Sequence, residues 1–193
     1  MSYPRNYYVE SNPNILRSVI SKHPLATLTV IQEGKIKTVF VPLTLSDDHA
    51  YLLGHATKDN PIFHADGVIQ AVFHCEDHYL SPAVIPDIKL PTWLYANVIV
   101  EGELALITTD DEKYASMQAQ ITHFEQFSNT DWQLDSVPAN QRQSLFNAIN
   151  FFKIKINTMH GAFKLSQNQS SDIREKIKIH LQPLKPAMYS LFV

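Results

Sequence analysis

Cysteine and glycine are scarce in this sequence, and long hydrophobic runs are absent. Cys75 is the only cysteine, so an intramolecular disulfide is excluded. The five glycines form neither a P-loop nor a dinucleotide-binding fingerprint, so any phosphate site must use side chains and helix ends. No apolar run approaches the roughly 18 residues of a membrane helix, and the first residues lack the apolar core of a signal peptide. We therefore expect a cytoplasmic protein with no membrane partner.

An excess of charge of one sign is also lacking. The formal net charge is -3 and the isoelectric point is about 6.3, with lysine and arginine scattered along the chain. Proteins that bind nucleic acid usually concentrate positive charge on one face. We therefore predict no direct nucleic-acid binding.

The hydrophobic content is that of a globular protein. Of the 193 residues, 45% are hydrophobic and 18% are charged. This composition provides enough apolar surface to offset the entropy lost on folding. Because about 100 to 200 residues usually share one core, we predict a single domain over residues 1–193.

Short alternating segments are the main secondary-structure signal. Apolar and polar residues alternate on both sides of Glu33-Gly34, which predicts a β-hairpin over Leu25–Leu43. A turn is predicted at Gly161, and helices are predicted within residues 110–150 and over residues 170–181. Further strands are predicted at Ala50–His55, Val68–His74, Trp93–Ile107 and Phe152–Thr158. This order predicts a mainly β fold with peripheral helices (α+β), built on an antiparallel barrel.

The segment GHATKDNP is the first candidate for binding chemistry. His55, Thr57 and Lys58 lie where a predicted strand ends and a helix begins at Asn60-Pro61. Backbone N–H groups, a hydroxyl and an ammonium can converge on an anion at such a junction. The alternative is that Lys58 is only exposed and Asn60 is only a helix cap.

Two later segments could bind a flat ring. In LPTWLYANV, Trp93 and Tyr95 are two residues apart on a strand and therefore share a face. There they could stack against a flat ring, or they could be core or interface residues. In FKLSQNQS, Lys164 offers a cation, Ser166 offers a hydroxyl, and Gln167 and Asn168 offer amides. That mixture suits the carbonyl and nitrogen edge of an isoalloxazine, although it could also be a polar lead-in to the last helix.

Together these segments resemble the PaiB family. The pieces GHxxxxNP, PTWxY and KLSQN occur in the family's order, with a Ser-Pro element at Ser81-Pro82. The resemblance runs from the early YPRNYY stretch to about His180. It implies an FMN-binding split β-barrel of antiparallel Greek-key type, related to pyridoxamine-phosphate oxidases, which forms a homodimer with FMN where the subunits meet. Members are often labelled negative transcriptional regulators.

The resemblance also implies roles for individual residues. His55, Thr57 and Lys58 would hold the phosphate end of FMN. The remaining cofactor-binding residues that it implies are Ser81, Trp93, Tyr95, Lys164 and Gln167. The chain has Leu94, Ile99 and Glu101 where the family commonly has Asn and, further along the same strand, His and an aromatic residue.

The segment HCEDH raises the alternative of a metal site or a reactive thiol. His74 and Cys75 are neighbours on a predicted strand and face opposite sides, so both cannot easily bind one ion, and we predict no metal. Cys75 ends an apolar strand, where a free cysteine usually behaves as a small hydrophobic residue.

Two classes of function remain open at this point. The chain could be a regulatory or ligand-sensing module that binds FMN without turnover, or an FMN-dependent oxidoreductase or flavin reductase. The apolar C-terminal tail LKPAMYSLFV and the edge aromatics predict a surface that a second copy of the chain covers.

Overall fold

The computed structural model describes residues 4–192, which contain eight strands and five helices. The strands are β1 (Val9–Glu10), β2 (Leu25–Gln32), β3 (Lys35–Pro42), β4 (Thr44–Leu45), β5 (Tyr51–Thr57), β6 (Ile69–Leu80), β7 (Thr92–Ile107) and β8 (Ile149–Lys164). The helices are α1 (Pro13–Lys22), α2 (Asp110–Ser128), α3 (Ala139–Asn147), α4 (Ser171–Leu181) and α5 (Pro186–Tyr189). None of the helices within residues 4–192 is long and apolar enough to cross a membrane.

The strands form one mostly antiparallel sheet. Their order is β3-β2-β6-β7-β8-β5-β4, and β1 pairs with β8. The predicted hairpin is confirmed, since β2 pairs with β3 from Leu25–Pro42 to Gln32–Lys35. Glu33 and Gly34 between them both have positive φ, at 52° and 69°, which a tight hairpin turn requires. The mainly β fold with peripheral helices is thus confirmed.

The contacts divide the chain into two compact units. Unit 1 joins the described residues up to His23 with Val72–Ile99 and the residues from Met159 onward. Unit 2 joins Pro24–Ala71 with Val100–Thr158. The single-domain prediction stays a prediction.

Unit 1 has its own apolar core. Helix α1 begins at Pro13, after Asn12 accepts a hydrogen bond from the backbone N–H of Asn14. The helices and strands of this unit contribute fully buried side chains, chiefly Leu16, Ile20, Phe73, Leu80, Leu94, Val98, Phe163, Ile177, Leu181 and Met188. These side chains fix the ends of β7 and β8 that border the site described below.

Unit 2 is built on β2, β5 and parts of the longer strands. Its core includes Leu28, Val30, Leu43, Leu52, Ile62, Phe151, Phe152 and Ile154. Helix α2 begins at Asp110, within the region predicted to be helical, and the hydroxyl oxygen of Thr109 caps it by accepting from the N–H of Glu112. The face of α2 that is buried is polar, with Ser116 and Gln120 as its buried residues.

Three sequence-based expectations about local structure were wrong. Gly161 does not form a turn, because β8 continues through it to Lys164. A Cβ at Gly161 would lie 2.8 Å from the Cβ of Glu10, so the glycine permits β1 to pair closely here. Strand β6 ends at Leu80 rather than at His74.

The third correction concerns the C-terminal tail. Met188 and Phe192 are buried within the chain itself, and the carboxylate of Glu76 accepts a hydrogen bond from the N–H of Met188 at 2.7 Å. The tail therefore covers its own subunit and does not by itself indicate a second copy.

Candidate functional site

A pocket of about 560 Å³ in unit 1 is the best candidate site. Its volume falls in the range of about 300 to 1,000 Å³ that is usual for small-molecule sites. The loop between β6 and β7, the start of β7, the end of β8 and the loop that follows it supply most of the wall. The lining residues are Tyr8, Asp87, Ile88, Lys89, Leu90, Thr92, Lys164, Ser166, Asn168, Gln169 and Ile173.

Lys164, one of the predicted site residues, lines this pocket and supplies a cation to it. It is the last residue of β8 and is partly buried between the core residues Phe163 and Leu165. Gln167 does not line the pocket. Its side-chain oxygen accepts from the N–H of Leu165 at 2.8 Å, and its amide nitrogen donates to the carbonyl of Phe163 at 2.6 Å. Gln167 thus braces the turn that holds Lys164.

The same turn holds Ser166 in an unusual backbone conformation. Its φ is 58°, in the left-handed region that a non-glycine residue seldom adopts, and the residue is buried. Its carbonyl accepts from the N–H of Gln169 at 2.9 Å, which closes the turn. Such conformations persist where surrounding contacts impose them, often at binding sites.

The loop between β6 and β7 forms the other side of the pocket. Ser81, a predicted site residue, accepts from the N–H of Ala83 at 3.2 Å through its hydroxyl oxygen and so starts a turn at the head of this loop. Further along, Asp87 pairs with Lys176 of α4 at 2.7 Å, and that hydrogen bond lowers the pKa of the Asp87 carboxyl. The ion pair holds this part of the loop against helix α4.

Tyr8 closes the pocket from the N-terminal segment. Its hydroxyl donates to the side-chain oxygen of Asn168 at 3.4 Å. Burial, and then the neighbouring Tyr7, raise the pKa of Tyr8, so its hydroxyl stays protonated at neutral pH and can donate. Asn168 is one of the two amides that the sequence predicted for the flavin edge, whereas Tyr8 was not predicted as a site residue, although it lies in the YPRNYY piece.

Trp93 and Tyr95 share one face of β7, as their spacing predicts. The intervening Leu94 and the following Ala96 are fully buried on the opposite face. Trp93 is 55% exposed, and its ring centroid lies 5.7 Å from that of Tyr79 on β6. Neither aromatic lines the pocket, so they present a separate surface of unit 1. Because Leu94 belongs to the core, its replacement of the family's Asn does not alter that surface.

His55 of unit 2 is turned toward helix α2. Its Nδ1 lies 3.2 Å from the side-chain oxygen of Gln120, whose amide nitrogen donates to the hydroxyl and carbonyl oxygens of Ser116. That oxygen can only accept, so Nδ1 carries the proton and Nε2 is left as an acceptor. Burial lowers the pKa of His55 despite this hydrogen bond. The imidazole is therefore neutral and is a poor ligand for a phosphate.

Thr57 and Lys58 follow at the exposed end of β5. The Thr57 hydroxyl hydrogen-bonds to Asp59 and lowers the pKa of that carboxyl. Lys58 lines a different cavity, also in unit 2. Of the three residues expected at a phosphate, Lys58 is thus the one whose charge is available to an anion.

The histidines and cysteine of HCEDH are used structurally. His74 Nδ1 lies 3.1 Å from the side-chain oxygen of Asn97, and the Nε2 atoms of His78 and His180 are 3.3 Å apart. Burial raises the pKa of Cys75 to about 11, so its thiol is protonated at neutral pH. Across residues 4–192, no group of three potential metal ligands comes together.

The chemistry of the unit 1 pocket fits the predicted cofactor, FMN. Its ammonium, hydroxyl and amide groups match the carbonyls and nitrogens at the polar edge of the flavin ring, and Ile88, Leu90 and Ile173 provide apolar contact. Flavin supplies electron or hydride transfer when bound. Lys164 would place positive charge beside the ring, and Tyr8 and Ser166 would orient its edge.

Comparisons with known proteins agree with this chemistry. Residues 2–158 match the family described as "Putative FMN-binding domain". The match includes His55, Lys58, Trp93 and Tyr95 and stops before Lys164. Protease synthase and sporulation protein PAI 2 of Bacillus subtilis is 25% identical over 173 residues, which are 87% of this chain and 83% of the relative. The predicted resemblance to PaiB is therefore confirmed.

Solved structures share the fold. The flavocytochrome Anf3 of Azotobacter vinelandii has a TM-score of 0.66 at 10% identity, covering 90% of this chain and 78% of that one. The FAD and heme binding protein of Mycobacterium smegmatis has a TM-score of 0.63 at 13% identity. The alignment covers 89% of this chain and 80% of that one. Both have flavin in their names, and they support the split-barrel fold predicted from the sequence. Since the family model spans most of the chain, this protein belongs to the FMN-binding family of that description, and the predicted cofactor is confirmed at the level of the family.

Proposed function

We propose that this protein is an FMN-binding regulatory or ligand-sensing protein that acts as a homodimer. The observation that carries the proposal is the unit 1 pocket of about 560 Å³, in which Lys164 and the polar groups around it suit the edge of a flavin ring. The name of the Bacillus subtilis relative refers to protease synthesis and sporulation, which are cellular processes rather than a reaction. That name favours regulation.

The homodimer is supported by exposed apolar side chains in unit 1. Val84, Leu90, Trp93 and Tyr79 are exposed by 48%, 76%, 55% and 51%. Apolar surface of this kind on one unit of a protein commonly contacts a partner. A second copy of the chain would cover it in a two-fold arrangement.

Regulation would act through another protein. The net charge of -3 and the scattered basic residues provide no electrostatic surface for duplex DNA. A sequence-dependent gel shift by the purified protein alone, at physiological salt, would contradict this part of the proposal.

A second candidate function is FMN-dependent reduction of a small molecule. It is favoured by Lys164, because a cation beside the ring stabilises the negative charge of a reduced flavin. Purified protein should show flavin absorbance or take up added FMN. Bleaching of that absorbance by NADH or NADPH, followed by reoxidation with a second substrate, would favour the reductase over the sensor. Protein that remains colourless with excess FMN would overturn both.

A further inference from the structure

Two histidines of unit 1 face each other at a place that the proposed function does not use. His78 lies near the end of β6 and His180 lies in the last turn of α4, and their Nε2 atoms are 3.3 Å apart. Both residues are only partly buried, so an ion from the solvent can reach them. Neither residue lines the unit 1 pocket or the cavity at Lys58.

The backbone on both sides of this histidine pair is fixed by the core of unit 1. Ile177 and Leu181, which flank His180 on α4, are fully buried, and so is Leu80, two residues beyond His78 on β6. The two imidazoles are therefore held close together before any ligand binds. Such preorganisation lowers the entropy that binding costs.

The distances between the two rings fit two ligands of one metal ion. Zn²⁺ binds imidazole nitrogen at about 2.0 to 2.1 Å in tetrahedral geometry, which places two such nitrogens about 3.3 to 3.4 Å apart. The same geometry places the centroids of the two rings about 5.2 to 5.3 Å apart. In this protein the Nε2 atoms of His78 and His180 are 3.3 Å apart and the ring centroids are 5.3 Å apart.

The alternative is a direct hydrogen bond between the two rings. A linear N–H···N bond at the observed separation would place the centroids about 5.6 Å apart, because both ring axes would lie along the bond. The observed 5.3 Å is shorter. The Nε2 separation of 3.3 Å also exceeds the range of about 2.7 to 3.2 Å that N–H···O hydrogen bonds span. The geometry therefore favours an ion that the two rings share.

The surroundings of the pair suit a cation that prefers nitrogen ligands. Asp77 and Lys185 both act electrostatically on His78, and their charges have opposite signs. Imidazole binds zinc, copper and nickel well, whereas Mg²⁺ prefers oxygen ligands. Within residues 4–192 no third histidine, cysteine or carboxylate joins the pair in one ligand group, so water would complete the coordination.

We propose that His78 and His180 bind a divalent transition-metal ion of the zinc class, with water at its remaining positions. The sequence-based prediction of no metal rested on the directions of His74 and Cys75. His180 is 102 residues from His78, so the sequence gives no sign of this pair. The ion would fasten α4, which contributes Ile173 to the unit 1 pocket, to β6. The proposal does not depend on flavin binding.

Isothermal titration of the metal-free protein with Zn²⁺ tests the proposal. Zn²⁺ should bind at one site per chain, and Mg²⁺ should not bind. His78→Gln and His180→Gln should each weaken zinc binding by at least about tenfold, because each removes one of two protein ligands. Glutamine can still hydrogen-bond to the remaining ring, so these variants keep the alternative interaction. His64→Gln, at an exposed position, is the matched control and should leave zinc binding unchanged.

Thermal unfolding provides a second measurement. A ligand that binds only the folded chain stabilises it, so Zn²⁺ should raise the Tm of the wild type and of His64→Gln by about 2 °C or more. The Tm of His78→Gln and of His180→Gln should not change with Zn²⁺.

Two results would overturn the proposal. The first is that the wild type, folded by circular dichroism, binds Zn²⁺ no better than Mg²⁺, a comparison that needs no variant to fold. The second is that His78→Gln or His180→Gln binds Zn²⁺ as tightly as the wild type, since the ion would then be held by other residues.

Discussion

Lys164 and Gln167 were predicted as equivalent cofactor-binding residues, but they have different surroundings. Lys164 ends β8 and lines the unit 1 pocket, while both polar atoms of the Gln167 side chain bond the backbone of residues 163 and 165. The motif KLSQN does not itself show which of its side chains lines the pocket and which bonds the backbone. Only the turn that Ser166 makes in the left-handed region determines which side chain reaches the pocket.

Replacing Lys164 should weaken FMN binding without unfolding the protein. Lys164→Met keeps the length and apolar stem of the side chain and removes its charge, so we expect the dissociation constant for FMN to rise by about tenfold. Fluorescence titration of FMN measures this change. Lys35→Met on the exposed hairpin should bind FMN as the wild type does. Equal affinity of Lys164→Met and the wild type would show that the flavin lies elsewhere.

His55 should make the fold sensitive to acid. Burial lowers its pKa in the folded chain below the ordinary value of 6.5, so the unfolded chain binds more protons once the pH falls below that value. The stability that neutral His55 contributes is complete above pH 6.5 and is lost as the pH falls toward the lowered pKa. Urea denaturation at a series of pH values measures this loss.

A matched variant separates the effect of His55 from that of two other partly buried histidines. The pKa values of His23 and His78 are also lowered by burial, so they add to the slope in the wild type. His55→Asn retains a donor for Gln120 but has no titrating group. It should show a smaller loss of unfolding free energy over the same pH range, and an unchanged slope would contradict the assignment.

At the scale of the elements, the sequence predicted β7 well. Its buried residues alternate with more exposed ones from Trp93 to Gly102, and the predicted start at Trp93 was one residue late. Strand β8 was predicted poorly. It runs through Gly161, which a sequence-based reading takes as a turn, because the pairing of Val9–Ala162 and Glu10–Gly161 needs a residue without a side chain there. Pairing between segments far apart in the chain leaves no pattern in the sequence around either segment.

Gly102 is the residue of β7 that should tolerate a side chain least. A Cβ there would collide with the backbone carbonyl of Lys155 and lie 2.7 Å from the side chain of Ile154. Because a backbone oxygen cannot rotate away, Gly102→Ala should lower the unfolding free energy by about 1 to 3 kcal/mol or more. Gly67→Asn is the control, since nothing lies within 4 Å of that Cβ and Asn tolerates the positive φ of 85°. Chemical denaturation compares the two.

At the scale of the whole molecule, the main question is which surface of the chain would contact a second subunit. The tail that was expected to form an interface is packed on its own subunit through Met188 and Phe192. The exposed pair Tyr79 and Trp93 is a better candidate, since both rings lie on the outer face of β6 and β7 in unit 1.

A charge on that face should dissociate the dimer. Trp93→Glu removes the most voluminous exposed apolar side chain of the pair and introduces a carboxylate that is costly to bury. We expect the wild type to sediment as a dimer and Trp93→Glu as a folded monomer. Ile36→Glu, at a position 74% exposed on unit 2, should remain dimeric. A monomeric wild type would refute the homodimer.

The sequence alone determined most of the longer elements, the mainly β fold class and the family. Hydrophobic alternation, helix caps and turn residues are local patterns, so the hairpin, the N-terminus of α2 and the face shared by Trp93 and Tyr95 could be read directly from the chain. The resemblance to the PaiB family that the motifs carry indicated the cofactor. Whether a polar side chain faces a pocket or a packing partner depends on contacts between segments far apart in sequence. Only the tertiary structure could therefore show that His55 contacts Gln120 and that the Gln167 side chain bonds the backbone. It also shows that Lys58 and Lys113 line one cavity.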